Sequence, residues 1–230
     1  MVITPISDEP AERPTLGARV HDDLRDLLVS GQLSPGEKLS LRTVAVRLGV
    51  SMQPVRQAVD RLVVDGALEV LPNRAIRVPL MTLRRFDELT IVRLAIEGFA
   101  AQTAATARSV GDLAAIRRAD QAFRRQCQSR TPDLAAAIVA NRDLHFAVYR
   151  AAGLPSLLAI IEGLWLCIGP VLNLDIRSSP ARLRMGAAEK AHGELIAALT
   201  ARDGAAARAA LEADIRGAAA WIRAQGALPA

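Results

Sequence analysis

Asn141 and His145 are four residues apart in a segment whose apolar residues recur at helical spacing. Their side chains therefore leave one helix face about 6 Å apart along the axis, close enough for an amide oxygen and an imidazole to hold one metal ion. His192 lies on a later segment whose inward apolar stripe includes Ile196 and Leu199, and Asp214 lies on the last one with Leu211 and Ile215. Burying a histidine or an aspartate without a partner is costly, and a shared metal supplies the partner. Asp143, two residues from His145, points to roughly the opposite side and is a poor ligand. The competing reading is two ordinary core histidines with Asp214 bonded to one of them. His21, beside Asp22 and Asp23, reads as a surface or interdomain residue.

The segments that carry these groups read as helix after helix. Residues 83–105, 110–128, 133–152, 156–174, 181–201 and 205–225 each have helical apolar periodicity. Breakers fall between or within them, at Gly111, Pro132, Gly153-Leu154-Pro155, Pro170, Pro180 and Asp203-Gly204. No alternating strand pattern competes. The expectation is an all-α bundle of about six or seven helices, a form that builds cavities from facing side chains.

Residues 41–78 follow a different rhythm. Ser40 is a good N-cap for a short helix with Val44, Ala45 and Leu48 on its apolar face, and Gly49 is suited to end it. Ser51 is placed to cap a second helix with Val55, Ala58, Val59 and Leu62 on one side, stopped by Gly66. Residues 68–71 and 76–78 then form two short strands around Pro72-Asn73-Arg74-Ala75. Short helix, tight turn, longer helix and small hairpin make a winged helix-turn-helix, which suits a DNA major groove.

Charge agrees locally. The chain carries +5 overall, yet residues 1–80 contain ten basic and ten acidic residues and are neutral. Between Glu37 and Asp60 no acid occurs, while Lys38, Arg42, Arg47 and Arg56 do. A phosphate-facing surface needs that clearing, although scattered arginines also decorate ordinary solvated helices. With 230 residues there is room for two domains. Two cysteines, Cys127 and Cys167, give no disulfide framework and suggest a reducing, cytoplasmic setting. The N-terminus, with Pro and acids where a secretion signal has basic and apolar residues, reads as a mobile arm. The apolar run 157–174 is interrupted by Glu162, Gly163, Gly169, Pro170 and Asn173 and lacks basic flanks, so a buried, kinked helix at the centre of the bundle is expected rather than a membrane span.

Gln32-Leu-Ser-Pro35-Gly36-Glu-Lys-Leu39, Leu48-Gly-Val-Ser51, Pro54-Val-Arg56 and Asp65-Gly66 resemble the DNA-binding domain of GntR-family transcription regulators. Three features of the second half resemble the metal-dependent FCD ligand-sensing domain of the FadR subfamily. They are Asp87-Glu-Leu-x-x-x-Arg93-Leu-x-x-Glu97, then Asn141-x-x-x-His145 running on to Ala-Ala-Gly153, and His192 followed by an Ala-rich helix. The resemblance implies a mainly α protein: a flexible arm over residues 1–14, a winged helix-turn-helix with a β-hairpin wing over 15–80, and an all-α effector-binding and dimerisation bundle over 81–230. It places Arg42 and Arg56 as DNA-contacting arginines, Ser51 and Gln53 at the start of the recognition helix, and Asn73 and Arg74 in the wing. Met52 stands where relatives commonly have arginine; a thioether cannot make the bidentate contact to guanine, and Gln53 is suited to an adenine edge instead.

For the bundle, the resemblance implies a divalent metal (zinc, nickel or manganese) on Asn141, His145, His192 and Asp214. Asp214 stands in a position where the family has a third histidine. One carboxylate against a divalent ion leaves a net charge of about +1 with open positions, which suits a small carboxylate effector. Arg93 falls where the family has a cavity-facing cation, able to hold that carboxylate bidentately, unless it merely pairs with Glu97 one turn on. The expected function is a DNA-binding transcriptional repressor, a cytoplasmic homodimer on a pseudo-palindromic operator and not a membrane protein. A metal-dependent hydrolase is the alternative from another class, but no HExxH motif, serine triad or Gly-rich phosphate loop is present. A ligand-free DNA-binding protein with a structural metal is the third reading.

Overall fold

The computed structural model describes residues 15–172 and 183–229. The expected arm over residues 1–14 lies outside the described residues, as do the end of the expected helix 156–174 and the start of 181–201. Helix α1, Leu16–Val29, is capped by Thr15, whose hydroxyl accepts from the Ala18 amide at 3.2 Å, and buries Val20, Leu24 and Leu28 at four-residue spacing. α2, Leu41–Leu48, is capped by Ser40 and closed by Gly49 in the left-handed region, φ 64°. α3 spans Met52–Val64 and buries Val55, Ala58, Val59 and Leu62, the face that the spacing predicts.

Two details of this unit depart from expectation. Ser51 occupies the N-cap position of α3, but its side chain makes no capping hydrogen bond. The third residue of the helix, the position that Thr15 and Ser40 use in their own caps, is here Pro54, which has no N–H to offer. The wing is shorter than read and has an unforeseen third strand. β2 (Glu69–Val70) pairs antiparallel with β3 (Ile76–Arg77), and β1 (Lys38–Leu39) pairs with the other edge of β3, giving the order β1-β3-β2. Two residues are too few for a legible alternation.

The second half is helical. α4 spans Leu83–Ala107, α5 Val110–Cys127, α6 Leu134–Ala151, α7 Pro155–Leu172, α8 Ala187–Ala201 and α9 Gly204–Ala224. α4 packs along α9, α5 against α6, and α8 against both α9 and α5. The expected helix 181–201 is interrupted at Gly186, whose φ of 71° no right-handed helix accepts, so α8 begins only at Ala187. Pro170 sits inside α7, within the span 156–174 read as one helix. α7 is also less central than expected: Ile161, Trp165 and Ile168 are buried, while Ile160 is 53 % exposed. It is long and apolar enough to cross a membrane by length and composition, but its buried face packs on α1 and α4. Two arginines tie helix ends together. Buried Arg108 donates to the carbonyls of Leu199 (2.7 Å) and Thr200 (3.0 Å), and Arg202 donates to those of Thr106 and Arg108.

The two halves share one continuous core that runs from Val20, Leu24 and Leu28 to Ile161 and Trp165. The two halves come close at Gly169, where an added Cβ would meet Leu28 O at 2.7 Å and Val29 Cα at 2.8 Å. Ion pairs Arg25–Glu162 (3.2 Å) and Arg142–Asp26 (3.3 Å) flank this seam, and Cys167 Sγ lies 3.7 Å from the Asp65 carbonyl oxygen. Both cysteines are free.

Candidate functional site

α6, α8 and α9 bring His145, His192 and Asp214 together, with one ligand atom from each lying within 4.8 Å of the others. His145 Nε2 is 3.2 Å and His192 Nε2 3.9 Å from Asp214 Oδ2. Both histidines are buried, at 3 % and 1 % exposure, and their rings meet edge to face with centroids 5.7 Å apart. Among the described residues, neither ring nitrogen of His192 has a hydrogen-bond partner. Burial alone would raise the Asp214 carboxyl. The hydrogen bond from His145 and the nearby charges of His192, His145 and Arg93 outweigh it and bring the group down to about 2. Asn141 lies one helical turn before His145 on α6 and is half-buried, while Asp143 faces solvent and pairs with Arg142.

Outside this triad sit groups that the sequence reading passed over. His145 Nδ1 is 3.0 Å from the Tyr149 hydroxyl, which in turn donates to Glu97 Oε2. Glu97 also accepts from Arg93, at 2.6 Å from Nε and 3.2 Å from Nη2, so the pair considered as the alternative for Arg93 is formed. The Arg93 guanidinium lies over the Trp165 ring, 5.2 Å from its centroid. Burial works against the Arg93 cation, but the Glu97 charge and hydrogen bonds prevail and its pKa is raised. Burial, then the Glu97 charge, push the Tyr149 phenol well above its ordinary value, so it stays protonated. On the other side, Asp120 Oδ1 is 3.6 Å from His192 Nδ1 and its Oδ2 accepts from Arg124 Nε at 2.6 Å. Tyr149 was detectable, being one turn beyond His145 on the same face; Asp120, on a separate helix, carries no such signal.

The other surface is that of α2, α3 and the wing. Arg42, Ser51, Gln53, Arg56, Asn73 and Arg74 are all exposed. The missing cap bond leaves the Ser51 hydroxyl without that local partner, at the start of α3. At the wing tip Asn73 Oδ1 accepts from the Ala75 amide at 3.1 Å, which commits its oxygen to the turn, and Arg74 adopts φ 61°. Glu69 and Arg77 pair across the wing at 2.6 Å, so Arg77 is already neutralised.

Comparison with known proteins bears on both regions. Residues 16–78 match the bacterial regulatory proteins of the gntR family, and residues 88–217 match the FCD domain. The HTH-type transcriptional regulator McbR of Escherichia coli K12 is 35 % identical over 190 residues, covering 82 % of this chain and 84 % of that protein. The solved structure of E. coli McbR/YncC superposes with a TM-score of 0.86 at 32 % identity, covering 93 % of this chain and all of the other. A protein of Paenarthrobacter nicotinovorans named as a probable D-xylose utilization operon transcriptional repressor is 27 % identical over 191 residues, 83 % of this chain and 81 % of its own. Head, helical bundle and relatives agree that the chain is a transcriptional regulator rather than an enzyme, a member of the GntR family with an FCD domain.

Proposed function

We propose that this regulator is a repressor whose grip on DNA is set by a small carboxylate bound at a divalent metal. The observation that carries the metal is the buried cluster His145 Nε2, His192 Nε2 and Asp214 Oδ2, with the His192 nitrogens unpartnered among the described residues. Two imidazoles and a carboxylate at that spacing fit zinc, nickel or manganese, with the Asn141 amide oxygen as a weak fourth donor. Bound there, the ion would supply a centre of positive charge and open positions for a carboxylate oxygen. The Arg93 hydrogen bonds to Glu97 use Nε and Nη2, and Nη1 is the part of the guanidinium left for the ligand.

The DNA side rests on the exposed arginines of α2, α3 and the wing, and the assembly on apolar surface that one chain leaves open. Ile91 and Phe99 on α4 are 68 % and 47 % exposed, and Ile160 on the neighbouring α7 is also open. A homodimer through these helices presents two heads to a pseudo-palindromic operator in the cytoplasm.

Metal content of gently purified protein, with zinc or nickel add-back, tests the first part. About one ion per chain is expected, lost in His145→Ala and His192→Ala, weakened in Asp214→Ala and least affected in Asn141→Ala. No metal after add-back overturns it in favour of core histidines. On a selected operator, Arg42→Ala and Arg56→Ala should each cost about 1–3 kcal/mol, with steep salt dependence. Wild-type binding by both variants refutes the assigned face.

A further inference from the structure

We propose that Trp165 is a ligand contact of this site: its indole N–H donates to an oxygen of the bound acid and so ties that acid to α7, the helix on which the DNA-binding head is seated. The inference rests on the carboxylate reading above and names a donor and a route of regulation within it.

The starting point is a buried donor with nothing to donate to. Trp165 is 3 % exposed, and among the described residues its Nε1–H has no hydrogen-bond partner. A buried N–H left in that state costs its lost hydration, so native proteins almost always supply an acceptor, from protein, water or ligand. Arg93 and Phe146 supply none. The Arg93 guanidinium lies over the indole face, with Cζ 5.2 Å from the ring centroid, and only donates. Phe146, edge-on at 5.2 Å between centroids, is apolar. The His145 ring centroid is 5.5 Å away. The unpaired N–H therefore belongs to a ring that touches both the arginine assigned to the acid and a histidine assigned to the metal. An indole donates and cannot accept, so an acceptor oxygen completes it, and a carboxylate or hydroxy acid carries one.

The place of Trp165 in the fold gives that contact its meaning. His145, His192 and Asp214 stand on α6, α8 and α9, and none of the three is on α7. α7 is the bundle helix that packs along α1. Gly169, one turn beyond Trp165 and on the same face, is where α1 rests on it, with Leu28 O 2.7 Å from the position a Cβ would take. An acid held by the metal helices on one side and by Trp165 on the other bridges the site to the seat of the head. Close-packed interiors transmit strain, so a displacement of α7 moves α1 with it.

The indole reports on itself. The chain has two tryptophans, Trp165 and Trp221, so the proton–nitrogen spectrum holds two indole N–H signals, and Trp165→Phe identifies one by removing it. Protein incubated with zinc is titrated with glycolate, lactate and gluconate. At least one acid should move the Trp165 indole proton downfield to saturation, the mark of a new hydrogen bond to oxygen. Trp165→Phe keeps an aromatic face under Arg93 and should still take up zinc, yet hold that acid about 10–100-fold more weakly. The change in operator affinity that the acid causes in wild type should shrink in the variant at the same acid concentration. A Trp165 signal that none of the three acids moves overturns the inference and leaves the N–H to an internal water. So does a variant that binds the acid as tightly as wild type. Zinc uptake is read separately: if wild type takes up none but the indole still answers the acid, the metal reading fails and the Trp165 contact stands.

Discussion

Alanine at position 169 should weaken the protein although alanine is the better helix residue. In the interior of α7 the exchange from glycine is worth about 1 kcal/mol in favour of alanine when the new methyl has space. Here it has none: a Cβ would lie 2.7 Å from Leu28 O, 2.8 Å from Val29 Cα and 3.1 Å from Val29 O. These are backbone atoms of the last turn of α1, so no rotamer change relieves them. Ordinary carbon contacts sit at about 3.5–4 Å, so α1 must retreat by about 1 Å. Overpacking costs about 1–3 kcal/mol, and a backbone obstacle belongs at the upper end. Subtracting the propensity gain leaves a net loss of about 1–2 kcal/mol, a fall of a few degrees in Tm for a chain of this size. The same retreat strains the Arg25–Glu162 and Arg142–Asp26 pairs, so operator affinity should drop as well. Gly217→Ala on α9 is the control, because nothing lies within 4 Å of its added Cβ; it should raise stability by up to about 1 kcal/mol. Scanning calorimetry of both variants decides the matter: shifts of the same sign refute the steric reasoning.

Three further outcomes follow from the described contacts. Arg108→Ala, which removes both donors to the Leu199 and Thr200 carbonyls, should cost about 1–3 kcal/mol in urea unfolding, and Arg108→Lys should recover only part because a single ammonium cannot span both oxygens. Ser109→Ala should cost about 1 kcal/mol through loss of the α5 capping box. The Ser109 hydroxyl and amide hold the Asp112 carboxyl below 3.8, so its contribution is present above that value and fades as pH falls below it; in Ser109→Ala the carboxyl should titrate closer to 3.8 by NMR. A thermal-shift screen of small organic acids on metal-loaded protein should find a stabilising carboxylate whose effect shrinks in Arg93→Ala. Equal stabilisation of the variant would leave Arg93 as a structural partner of Glu97 alone.

Periodicity revealed the helices because each buries one face, and glycine or a capping residue marked most ends. Gly49 and Gly66 stop α2 and α3 through positive φ, as their placement predicts. What escaped was nonlocal. β1 exists only because Lys38 and Leu39 meet Arg77 and Ile76 across the sheet, and two residues carry no pattern of their own. In the candidate site, His145 was readable from its helix, and the family resemblance added His192 and Asp214. Asp120 was not, since its meaning depends on α5 lying against α8, and the attachment of Arg93 to Glu97 was one of two open choices until the helix was seen in place.

The shared core has a consequence for how such a regulator can be taken apart. A head that hangs from its sensor by a linker is a portable part, which can be cut at residue 80 and spliced to another sensor. This one is not portable. Its α1 is half-wall of the bundle, with Leu28 and Val29 seated on a bare patch of α7 that only glycine at 169 permits. A chimera built by exchanging heads must therefore bring a matching hollow on the recipient helix, or it will expose Val29 and lose the fixed angle between recognition helix and bundle. The unit of exchange is the head together with α7.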